Sequence, residues 1–265
     1  MKNSQFLTYE GDHPKGTEYI NWIFSKDDLK ENLTFNKFEK DKENNPLQTY
    51  SVVGDLLSVT YKLSVCDFGC RGGDHRIEYI IGKAYNTAVA SLKLLRLGFY
   101  DESLSLIRSI SEITNLLCLF RIEPNSYKDW VEATEQERIR NFGPAKIRKK
   151  IISVAAQPPV DKEYYSKLCE IGVHVNPETR PAGYNKHKLA LVGGFVMDHA
   201  PTAILNDLAN NLFFCALMGS SCILEKDDFM NLTDDLKKMV EQIGDLTIMN
   251  LEEHIEKLNK APNKK

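Results

Sequence analysis

YNTAVASLKLLRLGFYDESLSLIRSISEITNLLCLF, residues 85–120, decides the fold class. Upstream of Gly98, apolar or small residues recur at Ile81, Ala84, Tyr85, Ala88, Leu92 and Leu95, the i, i+3, i+4, i+7 spacing of one helix face. Downstream, Leu104, Ile107, Ile110, Ile113, Leu117 and Phe120 continue the same period. Gly98 stands where a helix ends with a left-handed residue. So short a connection predicts an antiparallel hairpin. The second helix is apolar nearly all round toward its end, so it should lie at the centre of a bundle.

Helical patterns extend outward from this hairpin. One covers 47–65, followed by the turn Gly69-Cys70-Arg71-Gly72-Gly73, with Asp74 placed as an N-cap. Others are expected near 130–141, from Pro144 to about 156, after Asp161, over 201–224, over 227–244 and over 250–258. Residues 178–188 read as a loop, and 189–197 as a strand or an apolar turn. The expectation is an all-α bundle of six to eight helices with an antiparallel central hairpin.

Residues 1–46 differ from the rest. They are polar and broken by Gly11, Pro14, Gly16 and Pro46. The spacing predicts a polar arm with one short helix at about 19–29, pinned by Trp22, Ile23 and Phe24, and a charged stretch over 36–46 that ends in a turn signal. Residues 47–265 then form the bundle domain.

The chain has 265 residues, 42% of them hydrophobic, which is enough for a core without disulfide or metal staples. Its net charge is -3, so nucleic-acid binding through global charge is disfavoured and would need a local patch. There is no signal-peptide pattern at the start, and the longest apolar run, 189–197, falls short of a bilayer span. The six cysteines sit mostly in apolar helical settings, so reduced thiols in a cytoplasmic protein are the default.

No P-loop, Gly-x-Ser-x-Gly elbow or His-Glu-x-x-His motif is present. The most informative pair is Arg108 and Glu112, four apart on one face of the central helix, in a stripe with Asp101, Ser105 and Asn115. Such a pair either orients neighbouring helices or binds a phosphate. His174 is the natural general acid or base, just beyond a helix carrying Tyr165 and Lys167. Cys66, Cys70, Asp74 and His75 are all metal-ligand types, yet their spacing matches no usual zinc pattern and a turn explains the glycines. No metal or cofactor is assigned. Arg138, Arg140, Lys146, Arg148, Lys149 and Lys150 form the one basic concentration, either a solvated helix face or a nucleic-acid contact at Arg140, Lys146, Arg148 and Lys149.

Three segments, 98–104 (GFYDESL), Arg108 to Glu112 (RSISE) and Tyr165 to His174, resemble a HEPN-like group of bacterial all-helical proteins. That resemblance implies a metal-independent ribonuclease or toxin effector of a defence or toxin–antitoxin system, acting as a homo-oligomer on RNA. Arg108 would hold the scissile phosphate, Glu112 would fix Arg108, and His174 and Lys167 would complete the catalytic set. HEPN ribonucleases pair an Arg with a following His on a helix. Arg180 and His187 have that order, but Pro181 and Gly183 oppose a helix there. Lys167 and His174 have the helical setting with Lys for Arg. The alternative is a non-enzymatic binding or scaffold module that captures a protein partner such as an antitoxin.

Overall fold

The computed structural model describes residues 14–68, 73–174 and 193–243. Eleven helices follow one another, and no strand occurs among the described residues. They are α1 (Gly16–Phe24), α2 (Asp27–Lys40), α3 (Pro46–Ser64), α4 (Arg76–Arg96), α5 (Tyr100–Ile122), α6 (Pro124–Glu132), α7 (Glu135–Phe142), α8 (Pro144–Ser153), α9 (Lys162–Gly172), α10 (Ala200–Ile223) and α11 (Lys226–Glu241). The all-α class is as expected, with more helices than the sequence pattern separates.

α5 and α10 form the centre. α3 and α4 pack on one side, α8 and α9 cover another face of α5, and α11 closes against α10 and α3. α10 is buried along almost its whole length from Pro201 to Ser221, because its polar residues are few and mostly small. α5 is the one described helix long and apolar enough to cross a membrane, yet 61% of its most apolar window is buried against the other helices.

α4 and α5 meet across Leu97-Gly98-Phe99. Gly98 has φ +80, as its capping role requires, and the Phe99 N–H closes on the Leu94 carbonyl at 2.9 Å. Inside the pair, Ser91 and Ser103 each donate to the other's backbone carbonyl, at 3.1 and 3.0 Å. Two buried hydroxyls are thereby satisfied where a lone one would cost about 1–3 kcal/mol.

The expected helix near 130–141 is two helices. Pro124 begins α6 as its first-turn proline, and Thr134 with Glu137 forms a capping box that starts α7 afresh. Residues 193–197 are irregular, with Phe195 and Val196 buried. The rest of 189–197, the loop at 178–188 and the helix expected over 250–258 lie outside the described residues.

The N-terminal part is less arm-like than its composition implies. α1 buries no residue, but α2 extends beyond the short helix expected at 19–29 and runs on to Lys40, into the charged stretch. Lys30, Thr34 and Phe38, at i, i+4, i+8, are all buried. Phe38 joins the core, Thr34 Oγ1 donates to the Arg96 carbonyl at 2.9 Å, and Arg96 pairs with Glu31 at 2.9 Å. Lys30 donates to the Gly193 carbonyl, and burial lowers its pKa against the opposing pull of Asp27. Composition hides this helix because its buried face is half polar.

Candidate functional site

The polar stripe of α5 is the face that α9 and the segment before it cover. At one end, the Asn115 side chain donates to the Val160 carbonyl at 2.9 Å and accepts from the Val160 N–H at 3.0 Å. One turn away, Arg108 and Glu112 meet Tyr165 of α9. Arg108 Nη1 donates to Glu112 Oε1 at 2.7 Å and to the Tyr165 hydroxyl at 3.0 Å. That hydroxyl donates in turn to the same Oε1 at 2.6 Å.

A second guanidinium closes the group. Arg148 of α8 stacks on the Tyr165 ring, its Cζ 4.5 Å from the ring centroid. Arg108 Cζ lies 5.9 Å from the same centroid. Arg148 is only 9% exposed, and its Nη1 is buried without a hydrogen-bond partner, as is Arg108 Nε. Arg108 and Glu112 themselves stay partly open, with side chains 24% and 32% exposed.

The electrostatics follow from that packing. Burial opposes the Arg108 charge, but Glu112 and Tyr165 outweigh it and hold the guanidinium above its ordinary range. Burial, then the hydrogen bond to Glu112, pushes the Tyr165 phenol well up, so it remains a neutral donor. The group thus holds two guanidinium cations and one carboxylate, which pairs with Arg108, and one nitrogen of each guanidinium is left without a hydrogen-bond partner. Such a set accepts a planar or tetrahedral oxyanion.

Other expected residues lie elsewhere. Gly172 packs α9 against the first turn of α5, since an added Cβ would stand 2.9 Å from both the Asp101 carbonyl oxygen and the Ser105 nitrogen. His174 follows that contact, exposed, its N–H closing on the Cys169 carbonyl at 2.9 Å. Lys167 is on the outer face of α9, where it pairs with Glu163 at 3.5 Å. Within one chain, then, Arg108 and Glu112 come together with Tyr165, and Lys167 lies outside that group.

Arg148 also leaves the basic face assigned to it. It shares the buried side of α8 with Ile147 and Ile151. Arg140, Lys146, Lys149 and Lys150 do line one open groove of about 550 Å³, together with Asp129, Glu132 and Glu137. Those carboxylates offset most of the positive field, which weakens the groove as a nucleic-acid track.

The Cys-Asp-His cluster is partly brought together. Cys66 Sγ lies 3.4 Å from His75 Nδ1. Asp74 turns away, accepting from the Tyr127 hydroxyl at 2.7 Å and from the Arg76 N–H at 3.1 Å. His75, with φ 55, is the residue at the N-cap of α4, one position after the expected Asp74. Cys70, Arg180 and His187 lie outside the described residues.

Tyr165 is the organising residue that the sequence does not single out as part of the site. A tyrosine one position from another, on a helix of mixed character, gives no signal of which hydroxyl meets the charge pair. No protein family, curated protein or solved structure matches this chain.

Proposed function

We propose that the cluster of Arg108, Glu112, Tyr165 and Arg148, where α5, α8 and α9 meet, is an oxyanion-binding site, and that the protein works as a helical recognition module for a phosphate-bearing partner. The observation that carries this reading is the buried, unpartnered guanidinium edge of Arg148 beside Arg108, Glu112 and Tyr165. A buried guanidinium nitrogen without a hydrogen-bond partner is costly unless a ligand completes it. Arg108 supplies a second cation that Glu112 holds in place while leaving Nε unused.

Titration with a short 5′-phosphorylated oligoribonucleotide, read by fluorescence anisotropy, tests the proposal. Loss of one charge-assisted contact should weaken binding about tenfold to a hundredfold in Arg148→Met or Arg108→Lys. Unchanged affinity in both variants would remove the site from recognition.

A second reading extends this chemistry to RNA cleavage. In it the protein is a cytoplasmic, homodimeric toxin or antiviral-defence ribonuclease. Arg108 holds the scissile phosphate, Arg140, Lys146 and Lys149 steer the strand, and His174 reaches Arg108 from a second copy. The half-open Arg108–Glu112 pair favours it. Incubation with total RNA in chelator decides it: degradation lost in His174→Ala supports the reading, and intact RNA at high protein concentration rejects it.

A further inference from the structure

A different cluster lies where α3 gives way to α4. Cys66 follows the last turn of α3 and His75 precedes the first turn of α4. Both have left-handed backbones, with φ 59 and 55, conformations that side chains rarely adopt outside sites that hold them there. The bends turn the two donors toward each other. Cys66 Sγ lies 3.4 Å from His75 Nδ1, and Glu78 Oε1, three residues into the helix register, lies 3.7 Å from the same nitrogen.

The three donor atoms all fall within 4.8 Å of one another. Donors around a tetrahedral zinc ion stand roughly 3.3–3.6 Å apart, given metal–ligand lengths of about 2.0–2.3 Å. The separations of 3.4 and 3.7 Å are close to that edge length. Both groups approach His75 Nδ1 from the same side, and that nitrogen carries a single proton or a single lone pair to share between them. A cation between the three groups satisfies all of them.

We propose that Cys66, His75 and Glu78 form a binding site for a borderline-soft divalent cation of the zinc class. One thiolate, one imidazole and one carboxylate suit zinc and cobalt over calcium or magnesium, which take oxygen ligands. Three protein ligands leave a fourth position for water or an external donor. Glu78 also lines an open groove of about 530 Å³ with Ser64, Tyr79, Lys83, Asn86 and Thr87, so the ion sits at the rim of that groove. This site is independent of the oxyanion cluster, since none of its residues touches Arg108 or Arg148.

Cobalt(II) titration of the full, metal-stripped chain is the test, followed by competition with zinc. One equivalent should bind, with visible d–d bands of tetrahedral intensity and a near-ultraviolet thiolate-to-cobalt band that zinc abolishes. Cys66→Ser should lose the thiolate band. His75→Ala and Glu78→Gln should each weaken binding by more than about a hundredfold, beyond the effect of losing a supporting neighbour. Circular dichroism and the thermal midpoint of each stripped variant identify any that fails to fold; Glu78→Gln, nearly isosteric, keeps the test decisive. Absence of a saturable cobalt spectrum in the wild type overturns the proposal. So does an undiminished spectrum in folded Cys66→Ser and Glu78→Gln.

Discussion

The guanidinium of Arg148 lies over the ring of Tyr165, 4.5 Å from Cζ to centroid, and this contact joins α8 to α9 above the central helix. It also buries the Arg148 guanidinium, leaving Nη1 without a hydrogen-bond partner. A charge so placed favours recognition over stability, which makes it open to experiment.

Arg148→Met keeps the aliphatic stem and removes the buried charge. Replacing poorly satisfied buried charges with apolar groups is often neutral or stabilising. A gain of about 1 kcal/mol is expected, or roughly 2–4 °C in Tm for a chain of this size. Differential scanning calorimetry of the unliganded protein checks it. A fall of several degrees would mean that the stacking itself anchors α8.

Asn115 holds Val160 through both backbone groups, at 2.9 and 3.0 Å. In Asn115→Ala the Val160 N–H and carbonyl lose those bonds inside the protein. At about 1–3 kcal/mol for each unsatisfied group, a loss near 3 kcal/mol is expected. Urea unfolding should show the midpoint falling with little change in slope. A loss under about 0.5 kcal/mol would mean that water replaces the amide.

Gly98 combines φ +80 with backbone crowding, as a Cβ there would stand 2.4 Å from the Phe195 carbonyl oxygen. Gly98→Ala therefore carries both left-handed strain and a clash with main chain, which cannot swing aside as a side chain would. Destabilisation above about 3 kcal/mol is expected, read as loss of soluble yield or of cooperative melting. Wild-type stability in this variant would contradict the packing of 193–197 on the turn.

Alkaline pH should unfold the protein sooner than an average helical bundle. Burial raises the phenol pKa of Tyr100, of Tyr164 beside Asp207 and of Tyr165 beside Glu112; burial and then the bond to Asp74 push Tyr127 up to about 12. Above pH 10 the unfolded chain sheds phenolic protons that the folded chain retains, so stability present below pH 10 is lost as pH rises. Absorbance at 295 nm should show these four of the eleven tyrosines ionising only as far-ultraviolet ellipticity collapses. Smooth titration of all eleven with the helices intact would refute the burial of those phenols.

Much of the bundle was legible. The period around Gly98 located α4, α5 and their tight turn, and the run after Pro201 located α10. The Arg108–Glu112 pair also followed from spacing, since i and i+4 adjoin on any helix. Its partner did not. Arg148 lies among Lys146, Lys149 and Lys150, and composition there indicates a solvated face. The available signal was register: Arg148 is three residues before Ile151, on the side of α8 that becomes buried. α2 escaped notice for the same kind of reason, because Lys30 and Thr34 are polar residues on a buried face.

By itself, the order of apolar residues determined where helices form, where they stop and which of them is central. Those outcomes rest on local period, capping and turn geometry, all written within a few residues of one another. Only the tertiary structure decided which charges lose water and that Tyr165 receives both arginines. Desolvation depends on what a distant helix covers, and no local period encodes that.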